Sequence, residues 1–123
     1  MIGIGLDLCE IARMEKLLKE GGGFLTRYFS PEEQIYIRSR NQLSAQSMAA
    51  MFAAKEAFLK AMGTGIDGQI PLKDIEVYHE KSGQPTYRLS GAAAQRLADM
   101  GGKRAFLSLS HEAGIAGAVA LVE

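Results

Sequence analysis

The stretch SAQSMAAMFAAKEAFLKAM, residues 44–62, predicts one long helix, because strong helix formers recur in it and no Gly or Pro interrupts it. Successive helical residues are rotated by about 100°, so one stripe collects apolar residues: Ala45, Met48, Ala49, Phe52 and Leu59. Glu56 falls near the centre of that stripe, and Lys60 lies one turn further on. An ionised carboxylate among apolar side chains is costly unless it is paired, hydrogen-bonded or bound to a metal. The helix is therefore predicted to carry a functional site.

The composition is that of an ordinary globular protein, and its length of 123 residues suits one domain over residues 1–123. The 14 basic and 14 acidic side chains give a formal net charge of zero, which argues against nucleic-acid binding through a strongly basic surface. Cys9 is the single cysteine and cannot form an internal disulfide. No apolar run approaches the roughly 20 residues of a membrane span, and the first residues do not resemble a signal peptide. We therefore expect a cytoplasmic protein that does not insert into a membrane.

The first residues alternate as in a β-strand. Apolar residues alternate with small and polar ones, in the order Ile2, Gly3, Ile4, Gly5, Leu6, Asp7, Leu8, Cys9. Asp7 therefore shares a face with two glycines. Because these glycines let another element or a ligand approach the backbone, we expect the face that carries Asp7 to be open rather than packed.

Turn and cap signals delimit the remaining elements. Ser30, Pro31 and Glu33 form a capping box at the start of a helix, and Ser90 is expected to cap another. The predicted elements are helices over residues 11–19, 31–38, 44–62 and 91–100, and strands over residues 2–9, 75–80, 85–89, 104–111 and 115–122. Their order predicts an α+β fold in which a mainly antiparallel sheet packs on the long helix.

Asp7 and Glu56 would form a site of hard oxygen ligands if the first strand packs against the long helix. Mg²⁺ is its natural occupant, because this ion often takes only one or two protein carboxylates and fills its other positions with water and substrate phosphates. Lys60 would add a positive charge for a phosphate oxygen. The alternative is a surface Glu56–Lys60 pair, which contributes only about 0.2 to 0.5 kcal/mol, with Asp7 merely near the end of a strand.

Several segments together resemble a known family. They are Gly5-Leu6-Asp7, the stretch FAAKEAFLKA at residues 52–61, Gly63-Thr64-Gly65, and the stretch SLSH at residues 108–111. They are similar to the small 4'-phosphopantetheinyl transferases known as holo-acyl-carrier-protein synthases, and the resemblance covers nearly the whole chain. It implies transfer of the phosphopantetheine arm of coenzyme A to a serine of apo acyl carrier protein, with adenosine 3',5'-bisphosphate leaving. It also implies a Mg²⁺ requirement, homotrimers with sites between subunits, and a place in fatty acid biosynthesis and lipid metabolism.

The resemblance implies roles for individual residues. Asp7 and Glu56 would hold Mg²⁺ against the coenzyme diphosphate, Lys60 would stabilise charge on its oxygens, and either Glu56 or a metal-bound water would accept the serine proton. Phosphoryl transfer mostly needs positioning and charge neutralisation, which such a set can supply. Coenzyme A contacts are expected from one set of residues: Lys60, Gly63, Gly65, Gly83, Pro85 and His111. From the residues alone, a simple turn histidine is the favoured interpretation of His111.

The chain departs from the family pattern at three positions near the expected coenzyme site. The family usually has Asn and Lys where this chain has Ser82 and Gln84, and often an arginine where it has Met51. Because that arginine meets a coenzyme phosphate in relatives, its absence predicts a weaker coenzyme affinity.

A carrier protein is an acidic helical bundle, so its docking surface on the enzyme should be basic. Arg13, Lys16 and Arg27, in and near the first helix, are the candidates. The alternative is a scattered solvated face, since isolated surface charges contribute little. Two other functions compete with the transferase: a module that binds coenzyme A or carrier protein without transfer, and a purely structural trimer.

Overall fold

The chain folds into helices and antiparallel strands, which a computed structural model describes over residues 1–65 and 69–123. The elements follow in chain order: β1 Gly3–Glu10, α1 Ile11–Lys19, α2 Gly23–Tyr28, α3 Pro31–Ser39, α4 Ser44–Ala61, β2 Ile75–His79, β3 Pro85–Leu89, α5 Gly91–Asp99, β4 Ala105–Glu112 and β5 Ile115–Val122. Short 3-10 turns span Asn41–Leu43 and Leu72–Asp74. A three-stranded antiparallel sheet has the order β1-β5-β4, and β2 and β3 form a separate hairpin. The predicted α+β architecture on one long helix is confirmed.

Helix α4 is buried around most of its circumference, which differs from the single apolar stripe that the sequence predicts. Met51 and Phe58, outside that stripe, are as inaccessible as Met48 within it. The physical reason is that α4 contacts β1 and β5 of the sheet and also α1, α3 and β2. A helix with neighbours on all sides is apolar all round, so Glu56 is not distinguished by an apolar stripe.

The glycine face of β1 is packed, so the expectation of an open face is wrong. A Cβ atom at Gly3 would collide with the carbonyl oxygen of Ala61, and one at Gly5 with that of Ala57. Both carbonyls belong to α4. The glycines do allow a close approach, as predicted, but the approaching element is the long helix, which meets the backbone of β1 directly.

The opposite face of the sheet carries exposed apolar side chains. Between 38% and 63% of each is accessible in the single chain: Ile4, Leu6, Leu8, Phe106 and Val119. We call this set the outer sheet face. Leu6 pairs with Val119, and Ile4 pairs with Leu121, which pairs with Phe106, so these side chains form one surface. A contiguous apolar surface of this kind marks an interaction site more often than simple solvent exposure.

The helix caps agree with the sequence at α3 and differ at α5. The Ser30 hydroxyl accepts a hydrogen bond from the Glu33 amide and the Glu33 carboxylate accepts one from the Ser30 amide, which confirms the predicted capping box. Ser90 makes no capping bond through its side chain. Instead, Asp74 Oδ2 accepts from the Ala92 amide at 2.9 Å. The predicted Ser90 cap is wrong because a more distant carboxylate supplies it.

One short helix is not predicted by the sequence pattern. Helix α2 is only six residues long and begins after Gly22, which has the left-handed conformation.

Among helices in the described ranges, none has the length and hydropathy needed to span a lipid bilayer.

Candidate active site

Asp7, Glu56 and Lys60 meet where β1 crosses α4. The Lys60 ammonium donates hydrogen bonds to Asp7 Oδ1 at 2.9 Å and to the Leu6 carbonyl oxygen at 3.0 Å. Glu56 and Lys60 are four residues apart and share one helix face. This face reaches Asp7 because the two glycines of β1 allow α4 to lie against the strand. The three residues that the sequence singles out for metal and phosphate chemistry are thus neighbours in space.

Glu56 is electrostatically perturbed. Its pKa is raised from 4.5 to about 7, first by burial and then by the negative charge of Asp7 and a hydrogen bond with that carboxyl group. The positive charges of Arg13 and Lys60 oppose the rise. A carboxylic acid with a pKa near neutrality can exchange protons at physiological pH. Because part of the rise comes from the negative charge of Asp7, a cation bound between the two carboxyl groups would oppose it.

The donor set fits Mg²⁺. In the part of the chain that the structure describes, no group of three or more His, Cys, Asp or Glu side chains is arranged to hold a metal. Asp7 and Glu56 therefore offer only two protein carboxylates, which suits an ion that keeps several waters and takes substrate phosphates as ligands. Burial raises the pKa of the nearby Cys9 to about 11, so this thiol is protonated at neutral pH in the metal-free protein.

A second ion pair lies deeper in the protein, between Lys55 and Glu33. Their side chains are 0% and 1% exposed, and Lys55 Nζ lies 2.8 Å from Glu33 Oε1. Burial lowers the pKa of Lys55, and the charge and hydrogen bond of Glu33 oppose this shift. Sequence reasoning missed the pair: it treated Lys55 only as part of the FAAKEA stretch and Glu33 only as a helix cap. The available signal was that Lys55 follows seven consecutive apolar residues, 48–54, within the long helix.

The glycines after α4 occupy exposed backbone near its C-terminus. Gly63 has a φ of +75°, a conformation that favours glycine, and its amide donates to the Lys60 carbonyl at 3.0 Å. Gly65 is also exposed. Both positions follow the helix that carries Glu56 and Lys60.

The hairpin residues Gly83 and Pro85 lie away from Asp7 within the chain. Gly83 has a φ of +91° in the β2–β3 turn, and Pro85 begins β3. Strand β3 packs beside β4, whereas Asp7 is on β1 at the other edge of the β1-β5-β4 sheet. One chain therefore does not gather all the predicted coenzyme contacts around Asp7.

His111 and Met51 have distinct surroundings. His111 lies in β4 rather than in a turn, and its Nε2 atom accepts a hydrogen bond from the Gln46 amide at 3.3 Å. The residue is exposed in the single chain. Met51 is completely buried in the core of the single chain, and its side chain offers no surface contact there.

The predicted docking residues line the α1–α2 region. Arg13, Lys16 and Arg27 are exposed. The Arg13 guanidinium lies 5.7 Å from the centre of the Phe52 ring, and that of Arg27 lies 5.4 Å from the Tyr28 ring. Because Arg13 also lowers the pKa of Glu56, the part of this surface at Arg13 borders the carboxylate pair.

A cavity of about 540 Å³ is lined by residues of the β2–β3 hairpin, α5 and the start of β4. Its lining includes the hairpin residues Gln84 and Thr86 and the basic residues Lys103 and Arg104. Cationic side chains in a groove of this size are compatible with an anionic ligand.

Fold and site together define an α+β protein with a carboxylate pair suited to a divalent cation and a lysine beside it. A family model described as ACPS, the 4'-phosphopantetheinyl transferase superfamily, matches residues 3–116. The chain is 46% identical over 123 residues to a holo-[acyl-carrier-protein] synthase of Treponema denticola, a match that covers 100% of this chain and 98% of that relative. This protein belongs to the 4'-phosphopantetheinyl transferase superfamily, and the resemblance seen in the sequence is confirmed.

Solved structures agree with this assignment. A crystal structure of holo-[acyl-carrier-protein] synthase from Neisseria meningitidis is similar with a TM-score of 0.88 and 35% identity, covering 100% of this chain and 99% of that one. The Helicobacter pylori synthase, solved in complex with coenzyme A, has a TM-score of 0.83 and 32% identity, with 98% and 99% covered. The likeness therefore extends over the whole fold.

Proposed function

We propose that this protein transfers the 4'-phosphopantetheine arm of coenzyme A to a serine of apo acyl carrier protein, giving holo acyl carrier protein and adenosine 3',5'-bisphosphate. The observation that carries the proposal is the meeting of Asp7, Glu56 and Lys60 at one point of this fold. These residues lie in a chain that is 46% identical to a holo-[acyl-carrier-protein] synthase.

The residues divide the work of phosphoryl transfer. Asp7 and Glu56 would hold Mg²⁺, which would supply charge neutralisation for the coenzyme diphosphate. Lys60 lies on a flexible stem at the exposed end of this group and donates to a phosphate oxygen. The serine oxygen forms a bond to the β-phosphorus, and the bond from that phosphorus to the bridging oxygen breaks. The bridging oxygen leaves with adenosine 3',5'-bisphosphate.

The serine proton needs an acceptor near neutral pH. Glu56, with its pKa raised to about 7, is one candidate, and a water molecule beside it is the other. Gly63 and Gly65 have no side chains, so the coenzyme can approach the backbone at these two positions after α4.

The protein acts as a homotrimer with sites between subunits. The outer sheet face supports this assembly, because its apolar side chains are uncovered in one chain. The separation of the hairpin from Asp7 supports it too: a neighbouring subunit can bring its Gly83, Pro85 and His111 to the coenzyme bound at Asp7 and Glu56.

Carrier protein docks on the exposed basic residues Arg13, Lys16 and Arg27, beside the carboxylate pair. Opposite charges on the two partners steer their encounter. With acyl carrier protein as the substrate, the protein belongs to fatty acid biosynthesis in the cytoplasm.

A mass measurement tests the proposal. Incubation with coenzyme A, Mg²⁺ and apo acyl carrier protein should add the mass of the phosphopantetheine arm to the carrier. Asp7→Asn and Glu56→Gln should remove most of that gain while leaving the fold intact by circular dichroism. Binding of coenzyme A by the wild type without any mass gain would instead identify a binding module.

A further inference from the structure

The buried ion pair makes a complete set of hydrogen bonds on its cationic side. Lys55 Nζ donates to Glu33 Oε1 at 2.8 Å, to the Leu72 carbonyl at 2.9 Å and to the Ile75 carbonyl at 2.8 Å. An ammonium group has three donors, so each has a partner. The ring of Phe29 lies 5.1 Å from the same nitrogen. Lys55 is therefore fixed in place and, at 0% exposure, does not reach a substrate.

Glu33 is bound on both carboxylate oxygens. Its Oε1 also accepts from the Ser30 amide at 2.9 Å, and its Oε2 accepts from the Val77 amide at 2.9 Å. The pair thus joins the start of α3, the middle of α4 and the strand β2. A carboxylate that accepts from backbone amides and an ammonium at once is well compensated for its burial.

The two side chains cover the free edge of β2. Ile75 pairs with Leu89 of β3, and Val77 pairs with Tyr87. The groups bonded by the ion pair, the Ile75 carbonyl and the Val77 amide, belong to alternate residues on one edge of the strand, the edge away from β3. Lys55 and Glu33 therefore supply the donor and the acceptor that a neighbouring strand would otherwise provide.

A second bond ties the other strand of the hairpin to the same turn of α4. The Tyr87 hydroxyl donates to the Ala54 carbonyl at 2.5 Å, and burial raises the pKa of Tyr87 so that the hydroxyl keeps its proton. Adjacent residues of α4, Ala54 and Lys55, thus contact β3 and β2 respectively.

We propose that Lys55 and Glu33 are positioning residues that hold the β2–β3 hairpin in the orientation required to bind coenzyme A. The inference rests on the proposed function, in which the hairpin residues Gly83 and Pro85 contact the coenzyme. A buried ion pair often adds little net stability compared with apolar residues of the same size, but its hydrogen bonds are directional. Directional bonds on the strand edge set the position of the hairpin, which apolar packing would leave less defined.

The test compares Lys55→Met, the double variant Lys55→Met/Glu33→Leu, and Leu25→Ala as a matched control. Leu25 is completely buried in α2 and outside the proposed site. Coenzyme A dissociation constants come from calorimetry, and the exchange rate of the Val77 amide is compared with that of Phe58 in α4 by NMR. Because a displaced contact weakens positioning steeply, Lys55→Met should raise the dissociation constant by about tenfold and accelerate Val77 exchange selectively.

The double variant separates positioning from stability. Removing both charges should recover the part of the unfolding midpoint that the unpaired Glu33 carboxylate costs in Lys55→Met. The Ile75 carbonyl and the Val77 amide still lack the partners that the ion pair gives them, so coenzyme A binding stays weak and Val77 exchange stays fast. Leu25→Ala should lower the midpoint and leave the dissociation constant within about twofold, because the Leu25 side chain has no polar group that could bond the edge of β2. Recovery of coenzyme binding in the double variant, equal weakening in Leu25→Ala, or unchanged relative exchange of Val77 in Lys55→Met would overturn the proposal.

The outcome is distinguishable from a failure of the proposed function. If the wild type does not bind coenzyme A, the proposed function fails. The exchange of Val77 needs no coenzyme, so it still reports whether Lys55 and Glu33 hold the hairpin in place.

Discussion

Lys60 Nζ lies 2.9 Å from Asp7 Oδ1, so the ammonium occupies a carboxylate oxygen that a divalent ion would also use. Charge neutralisation by lysine and by metal are therefore alternatives at Asp7. The Lys60 side chain is the more exposed member of this ion pair, so its ammonium can turn towards a phosphate.

Lys60→Gln is expected to separate metal binding from turnover. Mn²⁺ affinity without coenzyme, measured by electron paramagnetic resonance, should rise several-fold because a competing positive charge is gone. Transfer should fall by about 10²-fold or more, because an electrostatic contact to the transferring group is lost. Lys73→Gln, an exposed lysine on the Leu72–Asp74 turn, is the matched control and should change neither. A lower Mn²⁺ affinity in Lys60→Gln would contradict the competition.

The raised pKa of Glu56 predicts a dependence of metal binding on pH. Metal must displace a proton from this carboxyl group below about 7. Apparent Mn²⁺ affinity should therefore fall as the pH is lowered from 8 to 6, by up to about tenfold per pH unit at the lower end. Glu56→Gln should bind Mn²⁺ more weakly, without this dependence. A flat profile in the wild type would show that Glu56 is ionised throughout.

The same shift affects the stability of the metal-free protein. The folded state holds the Glu56 proton up to about 7, whereas the unfolded state releases it near 4.5. The folded state thus binds more protons between these values, so this contribution is fully present below 4.5 and is lost as the pH rises through about 7. Discounted for solvent screening, it should be on the order of 1 kcal/mol. Urea unfolding of the wild type and of Glu56→Gln at pH 5 and pH 8 in a chelator isolates it, because both proteins keep the opposite contribution of His79, whose pKa is lowered by burial.

Gly5→Ala should damage fold and site together. Its Cβ would collide with the Ala57 carbonyl, which belongs to helix backbone and cannot move aside easily. The unfolding free energy should fall by about 2 to 4 kcal/mol, and Mn²⁺ affinity should fall as β1 moves away from α4. Gly23→Ala is the control, because a Cβ there meets no neighbouring atom within 4 Å. Equal stability of the two variants would exclude the close strand–helix contact.

Much of the fold follows from local sequence patterns. The structure differs from the sequence-based predictions where the interacting residues are distant in the sequence. The period of β1 was predictable, but alternation does not say which face is inside, and here the apolar side chains point outward. The site residues Asp7, Glu56 and Lys60 were singled out because charged groups interrupt regular patterns. Lys55 and Glu33, 22 residues apart, leave no local trace of their pairing. Asp74 likewise caps α5 from 18 positions away, in place of the neighbouring Ser90.

Val119→Glu is expected to break the proposed trimer. Val119 lies on β5, the central strand of the sheet, and its side chain belongs to the outer sheet face. Burying a carboxylate there without a partner is costly, so light scattering should report a smaller particle. Ile35→Glu is the control: this residue of α3 is 70% exposed and is not part of the outer sheet face. A wild type that is monomeric at micromolar concentration would contradict the assembly.

Arg27→Glu tests carrier docking more cleanly than Arg13→Glu. Arg13 acts on the pKa of Glu56, so its replacement would change the site as well as the surface, whereas Arg27 is not among the charges that shift this pKa. Reversing the charge at Arg27 should raise the KM for acyl carrier protein by about tenfold, most strongly at low ionic strength, and leave the coenzyme A dissociation constant unchanged. Lys73→Glu carries the same charge change away from α1 and α2 and should be neutral. Equal loss of carrier and coenzyme binding in Arg27→Glu would exclude this residue from the docking surface. A surface charge that acts only on the association with the carrier should not change the affinity for coenzyme A.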